Sequence, residues 1–136
     1  MAYVEEMLRN EADGTISFGN HSLLEKTKVE NFKSGQNLLK VKTFKELTKL
    51  EKNDMFVYES EPGTSVFNFK EDDKGVSFDV CGDEDAMITI GLDEDTEYSV
   101  YLNDVNTGKM KTNLSGKLGI SVELAANDKV NVRIVK

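Results

Sequence analysis

The chain has no tryptophan, one histidine, one cysteine and one proline among its 136 residues. Each shortage removes a class of function. With Cys81 alone, an intrachain disulfide is impossible. Secreted β domains of this size often lean on such a bridge, so the sequence points to a reducing compartment, the cytoplasm. His21 alone rules out a histidine-rich metal site and leaves a Ser–His–Asp arrangement only one base. Without tryptophan, a sugar-binding surface loses its commonest stacking platform. The phosphate-cradling patterns GxGxxG and GxxxxGK[ST] are both absent. No apolar run approaches transmembrane length, and the opening MAYVEEMLRNEADG lacks the basic-then-apolar order of a secretion signal. Positive charge is also short. Lys and Arg number 17 against 25 Asp and Glu, a formal charge of −8. Phosphate backbones and anionic membranes are therefore repelled, which argues against nucleic-acid and membrane partners.

What remains is a globular composition. Apolar residues make up 38% and charged residues 31%, enough to close a core and too apolar for disorder. The length suits one domain. Along the chain, residues 1–12 carry Val4, Met7 and Leu8 at helical spacing, with Glu5 and Glu6 near the N-terminal end; this predicts a short helix ended by Asp13-Gly14. Residues 13–63 form a second, β-rich segment. TISFG and MFVYES read as strands, and NLLKVKTF alternates Leu39, Val41 and Thr43 against lysines. In TFKELTKLEKN, Thr43-x-x-Glu46 has the form of a capping box, so a helical turn is preferred there over a strand running into a hairpin. Pro62-Gly63 marks a turn.

Residues 64–136 are the regular part. SVFNF, GVSFDV, MITIGL, EYSVYLN, KMKTNL, KLGISVEL and KVNVRIVK are short β-rich runs separated by EDDK, CGDEDA, DEDT, DVNTG, SG and AAND. Such spacing predicts an antiparallel sandwich. Alternation assigns an inward set: Val76, Phe78, Val80, Tyr98, Val100, Leu102, Met110, Leu114, Leu118, Ile120, Val122, Leu124, Val130, Val132 and Ile134. Asp104, Asn106 and Gly108 have the residue types of the start of a calcium loop, but glycine stands fifth from Asp104 instead of sixth, and Ser115 holds the twelfth place, where a bidentate Glu belongs. The segment reads as a hairpin turn, with Asn106 and Gly108 supplying positive φ.

EYSVYLNDVNTGKMKTNLSGKLGISVELAANDKVNVRIVK resembles the closing strands of small immunoglobulin-like sandwiches appended to glycan-active enzymes. The likeness covers about the last 75 residues and rests on strand alternation and turn glycines. The whole chain also resembles short bacterial proteins labelled endosialidase. That resemblance does not imply sialic-acid hydrolysis. The chain is too short for a sialidase propeller, and Arg9 and Arg133 are its only arginines.

Candidate sites follow from charge and from Tyr101. Asp83 and Asp85, and Asp93 and Asp95, lie in loops at opposite ends of MITIGL; each pair reads as a solvated turn, or as half of a calcium site completed by another loop. Otherwise no cofactor is implied. Lys40, Lys42, Lys45 and Lys49 gather in a basic stretch whose counterpart is the acidic C-terminal half, so the two dock within one chain or between chains. Tyr101 points away from the inward set and is the one tyrosine expected on an outer face, unless the N-terminal half covers it. His21, beside a turn, reads as an ordinary exposed histidine. Cys81 reads as an inert thiol whose neighbours Asp83, Glu84 and Asp85 disfavour the thiolate. Taken together, the residues favour a non-enzymatic module acting through protein–protein contact or self-association. The alternative is a glycan-binding accessory domain. An enzyme requires a carboxylate pair meeting in a cleft.

Overall fold

The computed structural model describes residues 2–136. Thirteen strands follow in chain order: β1 Leu8–Asn10, β2 Ile16–Phe18, β3 Thr27–Ser34, β4 Asn37–Phe44, β5 Leu47–Lys52, β6 Met55–Glu61, β7 Ser65–Asp72, β8 Gly75–Cys81, β9 Ala86–Gly91, β10 Glu97–Leu102, β11 Val105–Lys111, β12 Lys117–Val122 and β13 Val130–Val135. They pair antiparallel into a seven-stranded sheet, β1-β2-β7-β8-β13-β10-β11, and a six-stranded sheet, β12-β9-β6-β5-β4-β3. Strands from both halves of the chain enter both sheets. One buried cluster joins them, with Phe18 and Phe78 of the larger sheet edge-on to Tyr58 of the smaller at 5.1 and 5.8 Å. The architecture is that of a mainly β sandwich.

The period-two pattern of the back half holds. Val76, Phe78, Val80, Tyr98, Val100, Leu118, Ile120, Val122, Leu124, Val130, Val132 and Ile134 are all buried, and Leu102 packs partly buried against them. Two members of the expected inward set do not join. Met110 is 40% and Leu114 80% exposed. Met110 does stand opposite Tyr98 on the inner face, but no strand of the six-stranded sheet covers β11. Leu114 lies outside β11, in the loop before β12.

The expected N-terminal helix is not formed, and among the described residues there is no helix at all. Met1 lies outside the described residues. Met7 takes φ +71°, which a right-handed helix forbids. The Val4 amide donates to the Gly19 carbonyl at 3.1 Å, and Gly19 donates back to Met7 at 2.9 Å. Isolated helices this short are marginal, whereas pairing β1 with β2 buries Leu8 opposite Phe18. The helical turn preferred around Thr43–Asn53 is likewise replaced by the β4–β5 hairpin, paired from Leu39↔Lys52 to Phe44↔Leu47. There Thr43 is fully buried and bonds Thr48 Oγ1 at 2.9 Å instead of capping a helix. The next correction is a shift. The β10–β11 turn falls at Asn103 (φ +50°) and Asp104 (φ +66°), while Asn106 and Gly108 lie within β11 beside a bulge.

Candidate functional site

The most unusual surface lies on the outer face of the six-stranded sheet. Leu39, Val41 and Thr43 point into the core, so Lys40 and Lys42 point out. The ladder sets Lys28 of β3 directly opposite Lys42 of β4, and Lys42 directly opposite Lys49 of β5. Three lysines thus stand side by side on strands about 4.8 Å apart. Lys40, one step along, faces Glu51. Glu30 serves the margin of the row, bonding Lys28 at 3.0 Å and lying 3.8 Å from Lys40. The hydrogen bond from Lys28, aided by the charge of the neighbouring lysines, holds the Glu30 carboxyl below its ordinary range. Lys42 and Lys49 join no ion pair among the described residues; the row meets carboxylates only at its two margins, Glu30 beside Lys28 and Glu59 opposite Lys49 on β6. Like charges placed opposite one another weaken a sheet, so the fold gains nothing from this row. Of the four lysines singled out from the sequence, Lys40, Lys42 and Lys49 share this face, and Lys45 sits in the β4–β5 turn. Lys28 escaped notice because the bulge between Val29 and Phe32 breaks the alternation of β3.

The acidic pairs are kept apart. Strand β9 separates Asp83 and Asp85 from Asp93 and Asp95. Each carboxylate except the partly engaged Asp83 has a near partner: Asp85 accepts from the Ala125 amide at 3.0 Å, Asp93 meets Lys136 at 2.6 Å and Asp95 meets Lys111 at 3.1 Å. No group of three or more His, Cys, Asp or Glu side chains gathers for a cation among the described residues.

His21 is not exposed. It is 4% accessible, with Nδ1 2.7 Å from Ser65 Oγ and Nε2 3.7 Å from Asp83. The trio has the residue types of a nucleophilic triad, yet Ser65 is fully buried. A hydroxyl without access to a substrate carbonyl does not attack one. Burial lowers the His21 pKa, opposed in smaller part by Asp83. Cys81, opposite Ser65 in the β7–β8 ladder, is also buried, and desolvation raises its thiol pKa. No signal in the sequence marked Ser65 as the partner of His21, since 44 positions separate them.

Tyr101 does lie on the outer face, of the seven-stranded sheet, half-buried. Arg133 stands opposite it on β13, with the guanidinium 4.0 Å from the ring centroid. The other arginine, Arg9, stands 5.9 Å from the centroid of Phe67. A cleft of about 380 Å³ opens at the end of the sandwich bearing the β7–β8 turn, floored by Phe56, Val76, Leu92 and Tyr98 and rimmed by Asp73 and Lys117. Tyr101 is not part of it.

The fold and these surfaces define an acidic, two-sheet antiparallel β protein. No family model, no curated protein and no solved structure matches the chain.

Proposed function

We propose that this protein is a non-enzymatic binding module that acts through protein–protein contact, docking an acidic surface on the lysine face of its six-stranded sheet. The observation that carries the reading is the row Lys28–Lys42–Lys49. It sets like charges opposite one another, at a cost to the sheet that an opposing carboxylate surface removes. A locally unfavourable arrangement that carboxylates offset only at its margins, Glu30 and Glu59, suits a surface kept for a partner. The acidic loops of a second copy have the required chemistry, so self-association is one form of the same contact. The finer fold reading, an immunoglobulin-like type for the half built by β7–β13, rests on its alternating strands, and a reducing compartment rests on the lone Cys81.

The test is calorimetric titration with poly-glutamate. The wild-type chain binds despite its net charge of −8, and Lys42→Glu with Lys49→Glu abolishes the heat while the Tm is kept. Equal binding by the variant, or none by the wild type, refutes the reading. A second reading, a glycan-binding accessory domain, is supported by the stacked Tyr101–Arg133 pair, which offers one ring face and a planar donor. Glycan-array signal lost on Tyr101→Ala supports it, and an array without hits removes it.

A further inference from the structure

The six-stranded sheet ends one strand short of the sheet beneath it. On β10, Tyr98 and Val100 are 1% and 2% exposed, in one buried cluster with Leu118, Ile120 and Val122 of β12. The inner face continues onto β11, where Met110 stands opposite Tyr98, Gly108 opposite Val100 and Val105 opposite Leu102. Cover stops there. Met110 is 40% and Val105 63% exposed, and β11 is exposed at every residue.

Directly beside that uncovered strip runs the free edge of β12. The strand pairs with β9 at six successive positions, from Lys117↔Gly91 to Val122↔Ala86, and with nothing on its other side. Sheets protect their edges with short strands, bulges and charges. The other three edges here use these devices: β1 has three residues, β3 bulges near Asn31 and carries Lys28, Glu30 and Lys33, and β11 bulges at Thr107 and carries two lysines. In β12 the ladder is regular, and Lys117 is its only charge. At Gly119 nothing lies within 4 Å of the position a Cβ would take. A groove of about 230 Å³ lined by Leu102, Val122 and Val130 opens at the end of the same edge.

The geometry points to β12 as the acceptor of one extended strand from a partner polypeptide, which bonds the free edge and lays alternate apolar side chains over Met110 and Val105. Main-chain hydrogen bonds supply the affinity and the apolar strip selects the side chains. Charge sets the direction. The exposed Glu123 stands at the C-terminal end of the edge, while the Lys117 ammonium turns back across β9 to within 4.6 Å of the Phe56 ring centroid, so an antiparallel occupant carries a cation near its N-terminal end. The occupant is a lone strand and not a second copy, because a second sandwich brings its own overhanging β11 into the space that the first β11 already fills. The edge is distinct from the lysine face, which lies on β3–β5.

The experiment uses the synthetic peptide Ser-Lys-Val-Thr-Val-Thr-Val-Glu-Ser, blocked at both ends, with the full chain. Binding is followed by fluorescence anisotropy and by amide hydrogen exchange. The proposal expects slowed exchange on alternate amides of β12, and Met110→Lys with Val105→Lys weakening binding by about tenfold or more. Both residues are exposed, so the fold tolerates the change, and an unaltered Tm confirms it. Met87→Lys, exposed on the opposite face of the sheet, and Lys42→Glu leave the peptide affinity unchanged, which separates this site from the lysine face. Protection that maps to β3, equal binding of a scrambled peptide, a variant that binds as well as wild type, or a dimer formed through β12 in place of the peptide complex overturns the proposal.

Discussion

Burial decides what the polar residues of this protein do. His21 is held neutral more firmly than a free imidazole because the interior penalises its charged form, with Asp83 opposing in smaller part. Unfolding returns it to its ordinary value of 6.5. Well above that pH the ring is neutral in both states and adds no pH dependence. As pH falls through 6.5 the unfolded chain takes up a proton that the folded chain resists, so stability declines until the folded ring is protonated too. Urea midpoints measured between about pH 7.5 and about pH 5.5, where carboxylates stay ionised, are expected to fall for the wild type and to stay nearly flat for His21→Gln. The hydroxyls of the core follow the same rule. Thr48 Oγ1 donates to the Thr64 carbonyl at 2.7 Å and accepts the Thr64 amide at 3.1 Å, while Tyr58 and Ser60 close on Thr64 Oγ1 at 2.7 and 2.8 Å. Thr48→Val removes the partner of the Thr64 amide and carbonyl, and denaturation is expected to register a loss of roughly 1–3 kcal/mol. The control Thr27→Val, whose hydroxyl bonds an exposed carbonyl, is expected to stay within about 0.5 kcal/mol. None of these partnerships was legible in the sequence, because alternation does not say which hydroxyls the turn after β6 brings together, and His21 and Ser65 stand 44 positions apart.

Single strands show where pattern suffices and where it fails. Six of the seven runs from SVFNF to KVNVRIVK became strands where period two leaves one register that buries their apolar set, while KMKTNL gave only the end of β11, which starts at Val105 and stays exposed. The N-terminal segment misled because pairing with β2 buries Leu8, and Val4 is buried ahead of the strand with its amide on Gly19, where a lone helix has nothing to pack on. Thr43-x-x-Glu46 misled for a related reason: the same threonine is more use as a buried partner of Thr48 than as a cap. The lysine row belongs to this scale as well. Lys42 and Lys49 were singled out from the sequence, but their opposition across the ladder follows from the β4–β5 register. Relieving it by Lys49→Thr is expected to raise stability by a few tenths of a kcal/mol, read as a higher urea midpoint at low salt. No gain would mean that the row imposes no strain on the sheet.

At the scale of the molecule, a chain of net charge −8 carries one basic sheet face between acidic loops. Any association through that face is electrostatic and must weaken with salt. Light scattering across a salt series is expected to show oligomers at low ionic strength that dissociate as salt rises, and a monomer at every ionic strength would remove self-association as the form of the contact. The sequence by itself determined the class of the fold, the inward set of the back half apart from Met110 and Leu114, and the sign of the charge, because periodicity and composition are local and additive. Tertiary structure alone decided that Lys28, Lys42 and Lys49 align, that His21 is buried against Ser65, and that β11 lies uncovered beside the free edge of β12. Those outcomes depend on strand order and on unequal sheet widths, and side-chain alternation carries no information about which strands become neighbours.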